Sequence, residues 1–446
     1  MTRNIYIETL GCSKNRVDSE IMMGVLLKNN FKAVNEAGRA EIIVVNTCGF
    51  LTSAVNESID RILTLAEEKI SGKCERLIVA GCMVERYREK ILSEIPEIDA
   101  VIGTSDYTKI VNCIEDTYKG IDVSDYLGKK PVYSLDNSSA DRAVSTKYFA
   151  YIKISEGCSN RCSFCNIPKL RGKQRSRSID SVRNEFIKLL NSGVKEINLI
   201  SQDSSAYGND LSSGVDLVNL VKSLLDATSQ DFWLRVFYSY PNDYPLELLK
   251  IMNEDPRLVP YIDIPFQHIS DPVLKAMNRK ITSKKLENTV NKILETVNDV
   301  VLRTTFIVGF PTETAKDFAE LLRFIKKEYF YHMGVFTYSH EDNIKSAKFG
   351  DVIVEGLKIE RRNLLMETQQ GISLKKNKSM IGQIQKVLVE GIYEETDLLL
   401  KGRNKYQGAE VDGIVLINDG HAEAGRFSDV RITEAHPYDL IGKIKD

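Results

Sequence analysis

Three cysteines fall within eight residues in the stretch EGCSNRCSFCNIP, at Cys158, Cys162 and Cys165. The spacing C-x3-C-x2-C sets three soft thiolates on one short loop, a donor set that suits zinc or an iron–sulfur cluster. A structural zinc site closes its tetrahedron with a fourth ligand, and the next cysteine or histidine along the chain is His268. A [4Fe–4S] cluster usually takes four cysteines. Held by three, it keeps one iron open, and that is where a substrate or cofactor can bind.

Three further cysteines are far apart in sequence but share a position. Cys12, Cys48 and Cys82 each follow a strand-like run, in NIYIETLGC, EIIVVNTC and RLIVAGC. Helix-patterned stretches alternate with these runs, and a last strand, IDAVIGT, leads into DYTKIVNCIEDTYKG. This alternation predicts an open parallel α/β sheet over residues 1–120. In such sheets the carboxyl ends of the strands form the ligand crevice. The three thiols therefore converge on one rim and form a second metal-binding set. Single buried cysteines are commonly structural, but three at the same topological position are not explained that way. Cys74 precedes its strand and Cys113 lies inside a helix pattern, so neither joins them.

These two sets have to be carried by separate units. Residues 121–147 are polar and aperiodic and read as a linker. From 148 to 375, six strand candidates (YFAYIKIS, EINLIS, FWLRVF, YIDIPF, VVLRTTFIVG and MGVFTYS) alternate with helices. They predict a partial (β/α)6 barrel with its functional face at the strands' carboxyl ends. The clustered cysteines follow the first of these strands. From 376 to 446, five short strands predict a small β-barrel. That last unit holds ten Lys or Arg against twelve Asp or Glu, without the basic footprint of an RNA-binding domain.

The whole-chain balance agrees. A net charge of −2 over 446 residues argues against a strongly basic nucleic-acid binder. MTRNIYIETLGC has too short an apolar run for a signal peptide, and no stretch approaches the ~20 apolar residues of a membrane span. Eight cysteines are then expected as reduced thiols and metal ligands in a cytoplasmic protein.

C-x3-C-x2-C with Phe164 before the last cysteine resembles the radical S-adenosylmethionine enzymes. A three-cysteine α/β domain, a radical barrel and a TRAM-like β-barrel together resemble the methylthiotransferases of that superfamily, over essentially the whole chain. The resemblance implies two [4Fe–4S] clusters, one on Cys12, Cys48 and Cys82 and one on Cys158, Cys162 and Cys165. It implies S-adenosylmethionine as cofactor and reduced flavodoxin or ferredoxin as electron donor. The family splits between transfer-RNA adenosines and an aspartate β-carbon of a small-subunit ribosomal protein. GCSKNRVDSE (11–20), NTCGF (46–50), IPKLRG (167–172), LISQDSSAYG (199–208), DIPFQH (263–268) and TTFIVGFPTET (304–314) resemble the ribosomal-protein branch. Asn166 and Thr312 depart from its pattern. An aspartate β-hydrogen is too weakly acidic for a side-chain base, so a radical route is chemically required, and the modified substrate is not expected to be nucleic acid. Methylthiolation of a transfer-RNA adenosine is the alternative, and a non-catalytic iron–sulfur protein a further one.

Other residues divide by position. Gln202, Asp203, Ser204 and Tyr207 follow EINLIS on the active face, with Gln202 and Asp203 expected at the cofactor. Gly309 ends its strand where backbone could approach the cofactor's adenine. Gln267 and His268 read as structural. Arg303 points either into the barrel or toward the helices. The five cations from Lys169 to Arg177 read as a solvated face.

Overall fold

The computed structural model describes residues 2–127, 142–212, 214–242 and 244–445; residues 128–141 of the expected linker lie outside these. Near the amino terminus, five parallel strands form one sheet in the order Lys32–Ala33, Asn4–Thr9, Ile42–Thr47, Arg76–Gly81, Ala100–Ile102. All six residues of Ile42–Thr47 are buried, as a near-continuous β-branched run requires when helices cover both faces. The strand ends converge tightly. Gly81 has φ +98, and a Cβ there would lie 2.4 Å from Asn46 Oδ1 and 2.5 Å from the Thr47 carbonyl. Only glycine tolerates both that backbone and that approach.

The central unit is a six-stranded parallel sheet in sequence order: Phe149–Lys153, Glu196–Ile200, Trp233–Val236, Leu258–Asp263, Val301–Val308 and His332–Thr337. Its end strands do not pair, so the barrel is open, as the six βα repeats predict. Helices start where the caps stand: the side chains of Ser178, Asp216, Thr282 and Thr314 each accept a backbone N–H of the first turn. The fourth strand differs from expectation, starting at Leu258 rather than Tyr261. Its register shifts between Leu234↔Leu258 and Val236↔Ile262. Pro260 lies in that interval and cannot donate to the ladder.

Helix Glu355–Lys378 runs through the expected boundary at 375–376. Beyond it the strands Ile384–Tyr393, Thr396–Asn404, Val415–Asp419, Phe427–Ala435 and Leu440–Ile444 close into a five-stranded barrel. Residues 405–412 leave this barrel and enter the interior of the central one. Tyr151 OH donates to the Ala409 carbonyl (2.9 Å), Arg235 to those of Lys405 and Gln407 (3.1 and 3.3 Å), and Tyr261 OH to Asp412 (2.6 Å). Arg303 points inward as well, with Nε 3.5 Å from Asp412.

Ionic contacts join the units, two of them at Glu341 and Glu196. Glu341, after the last central strand, accepts from Thr52 N (2.8 Å) and Arg86 Nη2 (2.5 Å) of the amino-terminal unit. Glu196 lies fully buried between Arg235 (3.1 Å) and Arg403 of the carboxyl-terminal barrel (2.6 Å). Burial pushes the Glu196 carboxyl up, but the Arg403 and Arg235 guanidiniums outweigh it and hold it below the usual range. A depressed folded value contributes stability above the unfolded carboxyl pKa of about 4.3, lost as pH falls through the folded value. Glu196→Ala should therefore destabilise the fold by on the order of 3 kcal/mol near neutral pH, with the deficit shrinking in acid. Thermal melts of the two proteins at pH 7 and pH 3.5 check this; a deficit equal at both pH values would exclude the ionic account.

Candidate active site: two cysteine triads on one cavity

The carboxyl edges of the two parallel sheets face each other. Cys12 caps helix Ser13–Lys28, Cys48 directly follows strand Ile42–Thr47, and Cys82 opens helix Cys82–Tyr87. Gly11 (φ +91) lets the first turn pass beside Cys48, whose Sγ would sit 3.3 Å from a Cβ there. Cys158, Cys162 and Cys165 lie on the loop after strand Phe149–Lys153. All six thiols line one cavity of about 420 Å³. Cys74 and Cys113 are buried elsewhere; Cys74 Sγ donates to the Arg76 carbonyl (3.4 Å) and Cys113 lies within helix Ile110–Lys119.

Among the described residues, no three His, Cys, Asp or Glu side chains sit close enough to hold a single metal ion. The donor set fits a polynuclear cluster on other grounds. Burial pushes the Cys82 and Cys165 thiols up to about 12 and Cys158 to about 11, and raises Cys48. Metal binding must displace those protons and leave anionic sulfur behind. Each triad has a guanidinium placed for that charge: Arg171 Nε lies 3.3 Å from Cys82 Sγ, and Arg279 Nη1 lies 3.8 Å from Cys162 Sγ. Three thiols per triad also leave one coordination position for a ligand from the cavity.

The remaining wall is polar and aromatic. Gln202 lines the cavity; its Nε2 donates to Glu156 Oε1 (2.6 Å), which leaves its buried Oε1 without a partner. Asp203 stands behind it, accepting from Asn160 Nδ2 (2.6 Å) and Ser205 Oγ (2.7 Å), and so positions Asn160, which does line the cavity. Ser204 and Tyr207 donate to the carbonyls of Phe237 and Arg177 and hold the loop. Gly309 lies off the cavity wall: its N–H donates to Glu313 (2.8 Å), and a Cβ there would meet Lys358 Cγ at 2.4 Å. His268 is fully buried, accepting from Ser270 N (3.0 Å), and is structural.

Tyr238, Tyr240 and Arg279 also line the cavity, although nothing in the sequence reading singled them out. Tyr238 and Tyr240 follow the third central strand, the position that marks Gln202 after the second, so the same rule would have found them. Arg279 has no local signal. Tyr238 and Gln267 hold φ +62 and +71 on the cavity wall, backbone strain of a kind that clusters at functional sites. The cations after Cys165 are only in part a solvated face: Lys169 and Lys173 are exposed, whereas Arg171 and Arg177 are each 2% exposed. Arg171 pairs with Glu156 and Asp18, and Arg177 with Glu185. The signal for this lay in Lys153, a charged residue inside the apolar run YFAYIKIS, which demands a buried partner.

Comparison with known proteins bears on the whole chain. Residues 4–103 match the uncharacterized protein family UPF0004, 152–325 the radical SAM superfamily and 381–444 the TRAM domain. The chain is 42% identical over 444 residues to the ribosomal protein uS12 methylthiotransferase RimO of Syntrophotalea carbinolica, covering 100% of this chain and 97% of that one. It is 43% identical to the RimO of Geobacter sulfurreducens, over 99% and 98% of the two chains. In fold it resembles the radical S-adenosylmethionine methyltransferase TsrM of Kitasatospora setae, with a TM-score of 0.57 at 10% identity, covering 86% of this chain and 77% of that one. Identity sustained across all three units, with both cysteine triads on one cavity, places the chain in the RimO family of radical S-adenosylmethionine methylthiotransferases.

Proposed function

We propose that this chain adds a methylthio group to the β-carbon of an aspartate in the small-subunit ribosomal protein uS12, in the cytoplasm. The single observation that carries this reading is the shared cavity, which lets a sulfur held at one triad meet a carbon activated at the other. Cys12, Cys48 and Cys82 would hold one [4Fe–4S] cluster, and Cys158, Cys162 and Cys165 the other. Together with S-adenosylmethionine, these groups supply the electron, the hydrogen abstraction, and the sulfur and methyl groups. The chain's part is orientation and exclusion of competing reactions. Gln202, its amide held by Glu156 (2.6 Å), would stand on the wall that receives S-adenosylmethionine. The walls Phe50, Phe164 and Pro265 keep water from the reacting atoms.

The carboxyl-terminal barrel serves substrate recognition in this reading, its twelve acidic against ten basic residues suiting a basic ribosomal protein better than RNA. Electrons would enter from the opposite side of the second triad. There a groove of about 530 Å³ reaches Cys162 and Cys165 between Arg161, Lys169 and Lys345, all exposed. Such a rim suits an acidic carrier such as reduced flavodoxin or ferredoxin.

Reconstituted protein with reductant, S-adenosylmethionine and uS12 should yield methylthiolated aspartate by mass spectrometry. Cys48→Ala and Cys162→Ala should each abolish the product and about halve the bound iron, one of two clusters being lost. Product on transfer RNA instead of uS12 would overturn the substrate assignment. Lys345→Glu should cut flavodoxin-supported turnover roughly tenfold at low salt while leaving dithionite-supported turnover intact. Equal losses with both reductants would remove the groove as the docking face.

A further inference from the structure

Arg171 occupies a position that the proposed chemistry does not by itself explain. It ends the short turn after Cys165, yet its side chain turns away from that triad and reaches the other one. It is 2% exposed, and each of its three nitrogens has a partner. Nε lies 3.3 Å from Cys82 Sγ; Nη2 donates to Asn15 Oδ1 (2.6 Å) and Asp18 Oδ2 (3.0 Å); Nη1 donates to Glu156 Oε2 (2.9 Å). Asn15 and Asp18 belong to the helix capped by Cys12, and Glu156 lies two residues before Cys158 and holds Gln202. Lys153 closes the cluster, donating to Asp18 and Glu156. Two cations thus balance two carboxylates, and the Nε–H remains for the sulfur.

We propose that Arg171 is a positioning residue of the amino-terminal triad: its Nε–H donates to the sulfur of Cys82, fixing that ligand and raising the reduction potential of the cluster bound there. This rests on the two-cluster reading above. Hydrogen bonds to cluster sulfurs and nearby positive charge favour the reduced, more negative state. The planar fork is needed because one group must face a sulfur, an amide and two carboxylates at fixed angles. A lysine keeps the charge and loses the fork. The same side chain therefore sets the first triad against the wall of the second.

The test is a potentiometric titration of the amino-terminal cluster, followed by electron paramagnetic resonance. It uses the full-length chain with Cys158, Cys162 and Cys165 changed to Ala so that one cluster reports alone. Arg171→Lys should shift the midpoint to more negative potential, and Arg171→Gln should shift it further, by at least tenfold in the reduction equilibrium, or about 59 mV for one electron. An unchanged midpoint in Arg171→Lys with the cluster retained overturns the proposal, whatever Arg171→Gln does. If neither variant retains that cluster, iron counts in the six-cysteine background decide. Loss of one cluster with the other kept supports the proposal; loss of both marks a collapsed joint and a purely structural arginine. A parent protein that binds only one cluster would sink the two-cluster reading itself, before any Arg171 variant is made.

Discussion

Two parallel sheets can share one cavity only if their carboxyl edges are held face to face, and a buried set of charges does that here. Lys153 and Arg171 from the central unit meet Asp18 from the amino-terminal one, with Glu156 closing the set. Burying four charges is expensive, and well-packed apolar residues would often be at least as stable. What an ionic joint adds is direction. An apolar interface tolerates sliding by a fraction of a side chain, whereas a guanidinium bonded to four partners does not. Burial pushes the Glu156 carboxyl up, but Arg171 and then Lys153 overcome it and hold it well below the usual carboxylate range. Glu156 therefore stays ionised between its two cations, and the relative placement of the triads is kept with it.

This joint also accounts for what could and could not be read along the chain. The architecture was legible because its signals are local. Strand–helix alternation and the position of Cys12, Cys48 and Cys82 after strands each depend on a few neighbouring residues. The joint was not legible because its members lie at 18, 153, 156 and 171 and signal only through being misplaced charges. A run of five cations looks like a solvated face until one asks where Lys153, inside FAYIK, finds its counter-ion. Arg303 illustrates the same limit. Its strand was evident, but the side it faces depended on register, and Asp412 from a distant unit settles that.

Gly309 and Gln202 show how position alone under-determines a site. Both end central strands and both were expected at the cofactor. Gln202 turns into the cavity because Glu156, part of the joint, holds its amide. Gly309 stands off the cavity wall, its N–H taken by Glu313 and its Cα packed against Lys358 of the long helix. The strand's end sets where a residue stands; the partner sets where it points.

The carboxyl-terminal barrel is drawn into the same logic from below. A closed β/α barrel fills its interior with its own branched side chains, but this open one leaves that space to residues 405–412. Tyr151, Arg235, Tyr261 and His332 take up the segment's carbonyls and Asp412, so the inserted backbone is not left unsatisfied in a dry interior. Its far side reaches the site. Glu410 and Val411 wall a second cavity, about 390 Å³, that shares Gly11, Cys12 and Tyr238 with the first. Glu410 also pairs with Arg16, one turn after Cys12 (2.6 Å). The last domain of the chain is therefore a wall of the cavity that opens onto the first cysteine, and a change in its placement would be felt at Cys12 without any contact to the central triad.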